Sequence, residues 1–224
     1  MCGIFGIITR TNSDYSQRLL RKSIYQLALL SESRGKDSSG ICFYNQHSSQ
    51  FDIIKGPIPI SSLLNHKSVI NKLKITFNEI SNSKFAFGHA RLVTNGTQLD
   101  DKNNQPVIKS GIVGVHNGII TNANSLWNQY SELERTHEID TEVLLALIRK
   151  YLLDGYSITN ATALAFHKIE GTIATAFVLD DFNIFVLATN NGSLYTIHNN
   201  KDILFFASEL HILKTFFNKI KLSN

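Results

Sequence analysis

Segments with the character of short β-strands occur in two groups along the chain, and three consecutive helical patterns lie between them. Strand-like apolar segments span residues 2–9, 41–44, 51–55, 85–91 and 111–116, and then 173–179, 184–188, 194–198 and 203–206. Helical spacing of apolar residues marks residues 15–33, 60–80, 122–135, 140–153 and 158–169. Strands and helices segregated in this way are typical of an α+β fold, so we expect a sandwich with a mixed or antiparallel core.

The composition fits one sizeable globular domain or at most two small ones, since the 224 residues are 43% hydrophobic and 18% charged. Cys2 and Cys42 form neither a CxxC pair nor a disulfide framework, which indicates a reducing compartment. The N-terminus lacks the features of a signal peptide, and no apolar run approaches the roughly 20 residues of a membrane-spanning helix. We therefore expect a soluble, cytoplasmic protein without membrane association.

Charge and histidine spacing bear on two further classes of function. The net charge of +4 is mild, and the small lysine cluster near the end (Lys214, Lys219, Lys221) fits a solvated last helix better than a nucleic-acid surface. The eight histidines show no metal-ligand spacing. We expect no nucleic-acid partner, no metal and no other cofactor.

A cysteine directly after the initiator methionine is an unusual position for a thiol. If Met1 is removed, the thiol of Cys2 and the free α-amine belong to the same residue. An α-amine has a pKa of about 7.7–8.0 and can take the proton of a thiol whose pKa is about 8.5, so one residue supplies both nucleophile and base. The alternative is a small apolar residue at the start of a buried strand, and position alone favours it.

A long polar stretch, residues 92–110, follows the strand that ends at Arg91, and loops of this length inside a compact domain are often functional. A guanidinium at a strand end suits bidentate binding of a carboxylate. Thr94 and Asn95 can add hydrogen bonds. The alternative is an ordinary strand-end arginine on the surface.

Two further short motifs each allow a structural and a chemical interpretation. Asn117-Gly118 lies between apolar stretches and is typical of a turn, yet an amide beside a glycine N–H is also a donor pair for an oxyanion. Asp140 at the start of a helical pattern can be an N-cap, or it can bind a substrate ammonium group. Taken alone, each motif favours the structural interpretation.

Six motifs in fixed order carry a resemblance that the single motifs do not. They are CGIFG from residue 2, RGKDSSG from residue 34, GHARLVTNG from residue 88, NNQPV from residue 103, VHNGII from residue 115 and DTEVL from residue 140. Together they resemble the class II glutamine amidotransferase domain, as in glucosamine-6-phosphate synthase and glutamine phosphoribosylpyrophosphate amidotransferase. This resemblance spans residues 2 to about 214 and implies a single glutaminase domain over residues 1–224.

The resemblance implies the fold of N-terminal-nucleophile hydrolases, a four-layer αββα sandwich of two mostly antiparallel sheets. It also implies that Cys2, after removal of Met1, is the nucleophile that attacks the side-chain amide of L-glutamine. The Asn117 side chain and the Gly118 N–H would form the oxyanion hole. Glutamate and ammonia would leave through a γ-glutamyl thioester on the cysteine.

The same resemblance assigns the binding of glutamine. Arg91 would bind the α-carboxylate with help from Thr94 and Asn95, and Asp140 would bind the α-ammonium with the Gly118 carbonyl. Three residues of the RGKDSSG motif would support the nucleophile's surroundings: Arg34, Gly35 and Asp37. Where the family often has Trp or Tyr after the arginine, this chain has Leu92.

Family members usually join this domain to a synthase domain that consumes the ammonia, and no such domain is evident here. We therefore expect a separate synthase subunit as partner. Two alternatives remain: a catalytically weak, regulatory glutamine-binding module on the same fold, and an N-terminal-nucleophile hydrolase of another amide.

Overall fold

The computed structural model describes residues 2–10, 13, 15–45, 50–78, 84–92, 97–179 and 184–220. The strands are β1 (Gly3–Thr9), β2 (Ser38–Asn45), β3 (Gln50–Gly56), β4 (Lys84–Arg91), β5 (Val107–Lys109), β6 (Ile112–Ile120), β7 (Gly171–Leu179), β8 (Ile184–Thr189), β9 (Tyr195–His198) and β10 (Ile203–Ala207). The α-helices are α1 (Gln17–Ser31), α2 (Ile60–Leu64), α3 (Lys67–Asn78), α4 (Ala123–Gln129), α5 (Thr141–Leu153), α6 (Ile158–Lys168) and α7 (Leu210–Ile220). Short 3₁₀ turns span Glu32–Arg34 and Asp101–Asn103.

The strands form two antiparallel sheets. The first has six strands in the order β3-β2-β4-β1-β10-β9, and the second has four in the order β5-β6-β7-β8. Strand β1 lies near the centre of the first sheet, where Ile4 is opposite His89 of β4 and Phe5 is opposite Ala207 of β10. Strand β1 is therefore held on both sides by hydrogen-bonded neighbours from Phe5 onward.

Three clusters of buried apolar side chains define the layers. One joins the first sheet to α1, α2, α3 and α7, and another joins the second sheet to α4, α5 and α6. The third lies between the sheets and includes Ile4, Phe87, Val115 and Phe206. Helices therefore cover both outer faces of a double sheet, which confirms the expected αββα sandwich.

Three local expectations were wrong. Strand β6 continues through Asn117 and Gly118 to Ile120, because both residues pair with β7 in register, so the Asn-Gly pair is not a turn. The polar stretch after Arg91 contains strand β5, which turns into β6 at Ser110 and Gly111 with positive φ angles of 49° and 75°. The helix expected over 122–135 ends at Gln129.

None of the helices within the described ranges is long and apolar enough to span a membrane.

Candidate active site

Cys2 lies just before β1 and faces β6 of the second sheet. Its backbone nitrogen donates a hydrogen bond to Asn117 Oδ1 over 3.1 Å, and its Sγ lies 3.5 Å from the Leu92 carbonyl oxygen. Burial raises the pKa of the Cys2 thiol, while the Leu92 backbone and the positive charge of Arg91 lower it in part. The thiol is therefore protonated near neutral pH and needs a base before it can act as a nucleophile. Met1 lies outside the described residues.

Asn117 and Gly118 sit within β6, directly beside Cys2. Asn117 is only 6% exposed, and because its Oδ1 accepts from Cys2, the other end of the amide is its NH₂ donor. Gly118 has φ +149°, and a Cβ at this position would lie 1.8 Å from the Thr172 carbonyl oxygen and 2.7 Å from His116 Nε2. Only glycine fits here. The strand thus holds an amide donor next to the cysteine, followed directly by a glycine.

Arg91 ends β4 and is 3% exposed. Its Nη1 donates to the Asn103 carbonyl oxygen over 2.7 Å and lies 3.4 Å from Asn104 Oδ1. Burial lowers the pKa of Arg91, and the negative charges of Asp140 and Asp37 offset only part of this, so these carboxylates lie within electrostatic reach of the guanidinium. A guanidinium held in this way suits a carboxylate ligand. Thr94 and Asn95, the expected helpers of Arg91, lie outside the described residues.

Asp140 directly precedes α5, but its side chain makes no N-capping hydrogen bond to that helix. Its Oδ2 instead accepts from the Ile120 N–H of β6 over 2.8 Å, and its Oδ1 lies 3.8 Å from His116 Nδ1. Burial would raise the pKa of Asp140, yet the hydrogen bonds and the charge of His116 lower it below its ordinary value. The aspartate is therefore ionised at neutral pH, and the N-cap interpretation does not describe its contacts.

The expected supporting loop packs against the peptide that follows Arg91. A Cβ on Gly35 would lie 2.2 Å from the Arg91 carbonyl carbon, and this restriction is purely steric because φ at Gly35 is 178°. Asp37 N–H donates to the Arg91 carbonyl oxygen over 3.0 Å. Arg34 pairs with Glu209 before α7, with Nη2 and Oε1 3.0 Å apart. The loop thereby fixes the Arg91–Leu92 peptide, and the carbonyl of Leu92, which follows this peptide, faces the Cys2 thiol.

Two residues close to the site were assigned no role from the sequence. Gln105, from the NNQPV motif, accepts from the His116 N–H over 2.5 Å and donates to the His116 carbonyl over 3.0 Å. Glu142, from the DTEVL motif, has a fully buried side chain bonded to Lys109 and Thr136. Burial would raise the pKa of Glu142, but these hydrogen bonds lower it to about 2. In the sequence, only their positions within the NNQPV and DTEVL motifs could have indicated that these two residues lie close to the site.

Within the described part of the chain, no three His, Cys, Asp or Glu side chains are grouped so that they could bind a metal ion. The site instead combines a thiol, amide and backbone donors, a buried guanidinium and an ionised carboxylate. Opposite charges at Arg91 and Asp140 match the two charges of a free α-amino acid.

Comparison with curated proteins finds relatives of known activity. The isomerizing glutamine–fructose-6-phosphate aminotransferase of Rhizobium meliloti (strain 1021) is 28% identical over 222 residues, which cover 98% of this chain and 33% of that protein. The amidophosphoribosyltransferase of Archaeoglobus fulgidus is 28% identical over 187 residues, which cover 81% and 37% of the two chains. The chain thus spans about a third of the length of these relatives.

A solved structure shares the fold. The glutamine phosphoribosylpyrophosphate amidotransferase from B. subtilis, complexed with ADP and GMP, aligns with a TM-score of 0.67 and 20% identity, over 98% of this chain and 44% of that chain. Independently, the family model of the glutamine amidotransferase domain matches residues 89–215, which include Arg91, Asn117, Gly118 and Asp140. Because this match covers more than half of the sequence, the chain belongs to the glutamine amidotransferase domain family.

Proposed function

We propose that this chain hydrolyses the side-chain amide of L-glutamine to glutamate and ammonia through a γ-glutamyl thioester on Cys2. The observation that carries the proposal is the 3.1 Å hydrogen bond between the Cys2 backbone nitrogen and Asn117 Oδ1. It sets a thiol, a nitrogen that becomes an α-amine and an amide donor side by side. Membership in the family supports a glutamine-hydrolysing activity in general.

The first step requires a free α-amine on Cys2. With Met1 attached, the Cys2 nitrogen is an amide and cannot accept a proton, whereas after its removal the amine has a pKa near that of the thiol. The amine takes the thiol proton and the thiolate attacks the amide carbon of glutamine. Negative charge develops on the amide oxygen, which the Asn117 NH₂ and the Gly118 N–H stabilise. Loss of one such donor typically costs about 10²–10³ in rate.

The intermediate then collapses in two stages. The α-ammonium of Cys2 returns its proton to the departing nitrogen, the carbon–nitrogen bond breaks and ammonia leaves. Water, deprotonated by the same amine, attacks the thioester, and the carbon–sulfur bond breaks to release glutamate and the thiol. No cofactor enters either stage.

Substrate recognition follows from the two buried charges. Arg91 binds the α-carboxylate of glutamine and Asp140 binds its α-ammonium, since both side chains are ionised and each acts electrostatically on the Cys2 thiol. An amide that lacks these groups leaves both charges without a ligand, which costs affinity. Free glutamine is therefore favoured over a peptide-bound or uncharged amide.

We further propose that the ammonia passes to a synthase on a separate subunit. The relatives named above carry the names of transferases, which supports an acceptor for the ammonia. Ammonia released into neutral water is mostly protonated and is then not a nucleophile, so direct delivery to an acceptor is favoured. Co-purification with a synthase, and a glutaminase rate that responds to its addition, are the expected results.

The test is a glutaminase assay on protein whose Met1 has been removed, as checked by intact mass. We expect glutamate and ammonia in equal amounts, and no turnover by the Cys2→Ala variant. Glutamine binding without turnover would instead support the regulatory module. Faster hydrolysis of an amide without α-amino and α-carboxylate groups would support the hydrolase of another amide.

A further inference from the structure

Three consecutive residues, Asn103, Asn104 and Gln105, together contact three different parts of the site. All three side chains are at most 4% exposed, although all are polar. Buried amides are retained where each of their donors and acceptors has a partner, so their contacts indicate what the segment holds in place.

The first contact is with Arg91. The carbonyl oxygen of Asn103 and the side-chain Oδ1 of Asn104 both face Nη1 of the guanidinium, at 2.7 and 3.4 Å. One corner of the guanidinium is therefore fixed by two oxygens of this segment. Because a fixed guanidinium loses less freedom when it binds a carboxylate, this contact bears on substrate affinity.

Asn104 is itself held by several other parts of the chain. Its Nδ2 donates to the Gln98 carbonyl over 2.8 Å, its N–H donates to the Asp101 carbonyl over 3.1 Å, and its own carbonyl accepts from Lys55 Nζ over 2.7 Å. Lys55 lies on β3, at the far edge of the first sheet. The position of Oδ1 is thus set by three bonds that do not involve Arg91.

The other contacts reach β6 and the segment before α5. The Gln105 side chain binds both backbone groups of His116, the residue before Asn117, beyond the point where β5 pairs with β6. The Asn103 side chain exchanges two hydrogen bonds with Glu138, two residues before Asp140, over 2.9 and 3.1 Å. The same three residues therefore contact Arg91 at the proposed carboxylate site and the segment before Asp140 at the proposed ammonium site. They also contact β6, the strand that carries the proposed oxyanion hole and is called the oxyanion strand below.

We propose that Asn103–Gln105 is a positioning segment, in which Asn104 aligns Arg91 for the α-carboxylate of glutamine and Gln105 aligns the oxyanion strand. The inference rests on the proposed glutaminase function. It predicts that two adjacent residues affect different kinetic constants. The carboxylate is bound equally strongly in the ground state and the transition state, so weaker binding of it raises KM. Oxyanion stabilisation acts only in the transition state, so its loss lowers kcat.

The experiment compares Asn104→Ala and Gln105→Glu in the glutaminase assay. For Asn104→Ala we expect KM to rise about tenfold with kcat within about twofold, the lower end of what a lost hydrogen bond to a charged group costs. Gln105→Glu keeps the acceptor for the His116 N–H and loses the donor to its carbonyl, so we expect kcat to fall about tenfold or more with KM little changed. Asn71→Ala, at an exposed position of α3, is the matched control and should leave both constants unchanged.

A double-mutant cycle separates positioning from general loss of stability. In an Arg91→Ala background, Asn104→Ala should add no further rise in KM, because its effect passes through the guanidinium. Asn104→Ser, whose hydroxyl is too short to reach Arg91, serves if the alanine variant does not fold. An unchanged KM in both Asn104→Ala and Asn104→Ser would overturn the inference. So would a rise in KM caused by Asn104→Ala that persists in full in the Arg91→Ala background. If the wild-type protein has no turnover, the proposed function fails instead. The same comparison is then made on the Kd for L-glutamate, which Asn104→Ala should raise about tenfold.

Discussion

Substitution of Gly118 by alanine tests the proposed oxyanion hole, because the added Cβ must displace the backbone that carries the Gly118 N–H. At φ +149°, an added Cβ would lie 1.8 Å from the Thr172 carbonyl oxygen of β7. Backbone strain at such a φ costs about 1–3 kcal/mol, and forcing β6 and β7 apart adds a further ~1–3 kcal/mol. We therefore expect Gly118→Ala to lose about 2–6 kcal/mol of unfolding free energy, a large part of the total for a domain.

Gly155→Ala is the matched control, because Gly155 also has a positive φ, +90°, but an added Cβ would have no heavy atom within 4 Å. It should carry the backbone strain alone and keep its glutaminase rate. Gly118→Ala should melt at least about 2 °C lower than the control, given roughly 2–4 °C per kcal/mol for a chain of this size. Its kcat should fall about 10²-fold or more, since the Gly118 N–H is displaced. Equal melting temperatures, or a Gly118→Ala variant with wild-type kcat, would refute the reasoning.

Three other substitutions have separable outcomes. Glu142→Gln should lower stability at pH 7 by on the order of 3 kcal/mol, because the folded pKa of Glu142 is about 2, below the ordinary 4.5. This contribution is present above pH 4.5 and is lost as the pH falls toward 2, so urea unfolding should show the two proteins converging in acid; a constant gap would contradict it. Gly35→Ala should lower kcat by displacing the Arg91–Leu92 peptide, from which an added Cβ would lie 2.2 Å away, and a variant with wild-type kinetics would count against a supporting role for this loop. Arg91→Ala should raise the KM for glutamine about 10²-fold, within the cost of losing a charged hydrogen-bonding partner; an unchanged KM would exclude Arg91 from the carboxylate site.

The architecture was largely predictable because its signals are local or carried by motifs. The apolar run after Cys2 and the helical spacing within residues 140–153 correspond to β1 and α5 with bounds shifted by a residue at most. The layer order came from the resemblance, since periodicity alone gave an α+β sandwich without its strand order.

Long-range contacts explain what the sequence left open. Asn117-Gly118 has the local preference of a turn, yet pairing with β7 along the whole of β6 overrides it. Gln105 binds the backbone of a residue 11 positions away, and Cys2 meets a side chain 115 positions away. Contacts between residues so far apart in the sequence produce no periodic pattern from which they could be predicted. The expected roles of Thr94 and Asn95 stay predictions.

Trapping the covalent intermediate tests most directly whether Cys2 is the nucleophile. Met1-free protein is mixed with L-glutamine, quenched in acid during turnover and analysed by intact and peptide mass spectrometry. We expect one γ-glutamyl group on the N-terminal peptide that begins with Cys2, no adduct and no ammonia with Cys2→Ala, and normal turnover with Cys42→Ala, whose thiol is buried in the inter-sheet core. An adduct on another residue, or ammonia release that survives Cys2→Ala, would contradict the account.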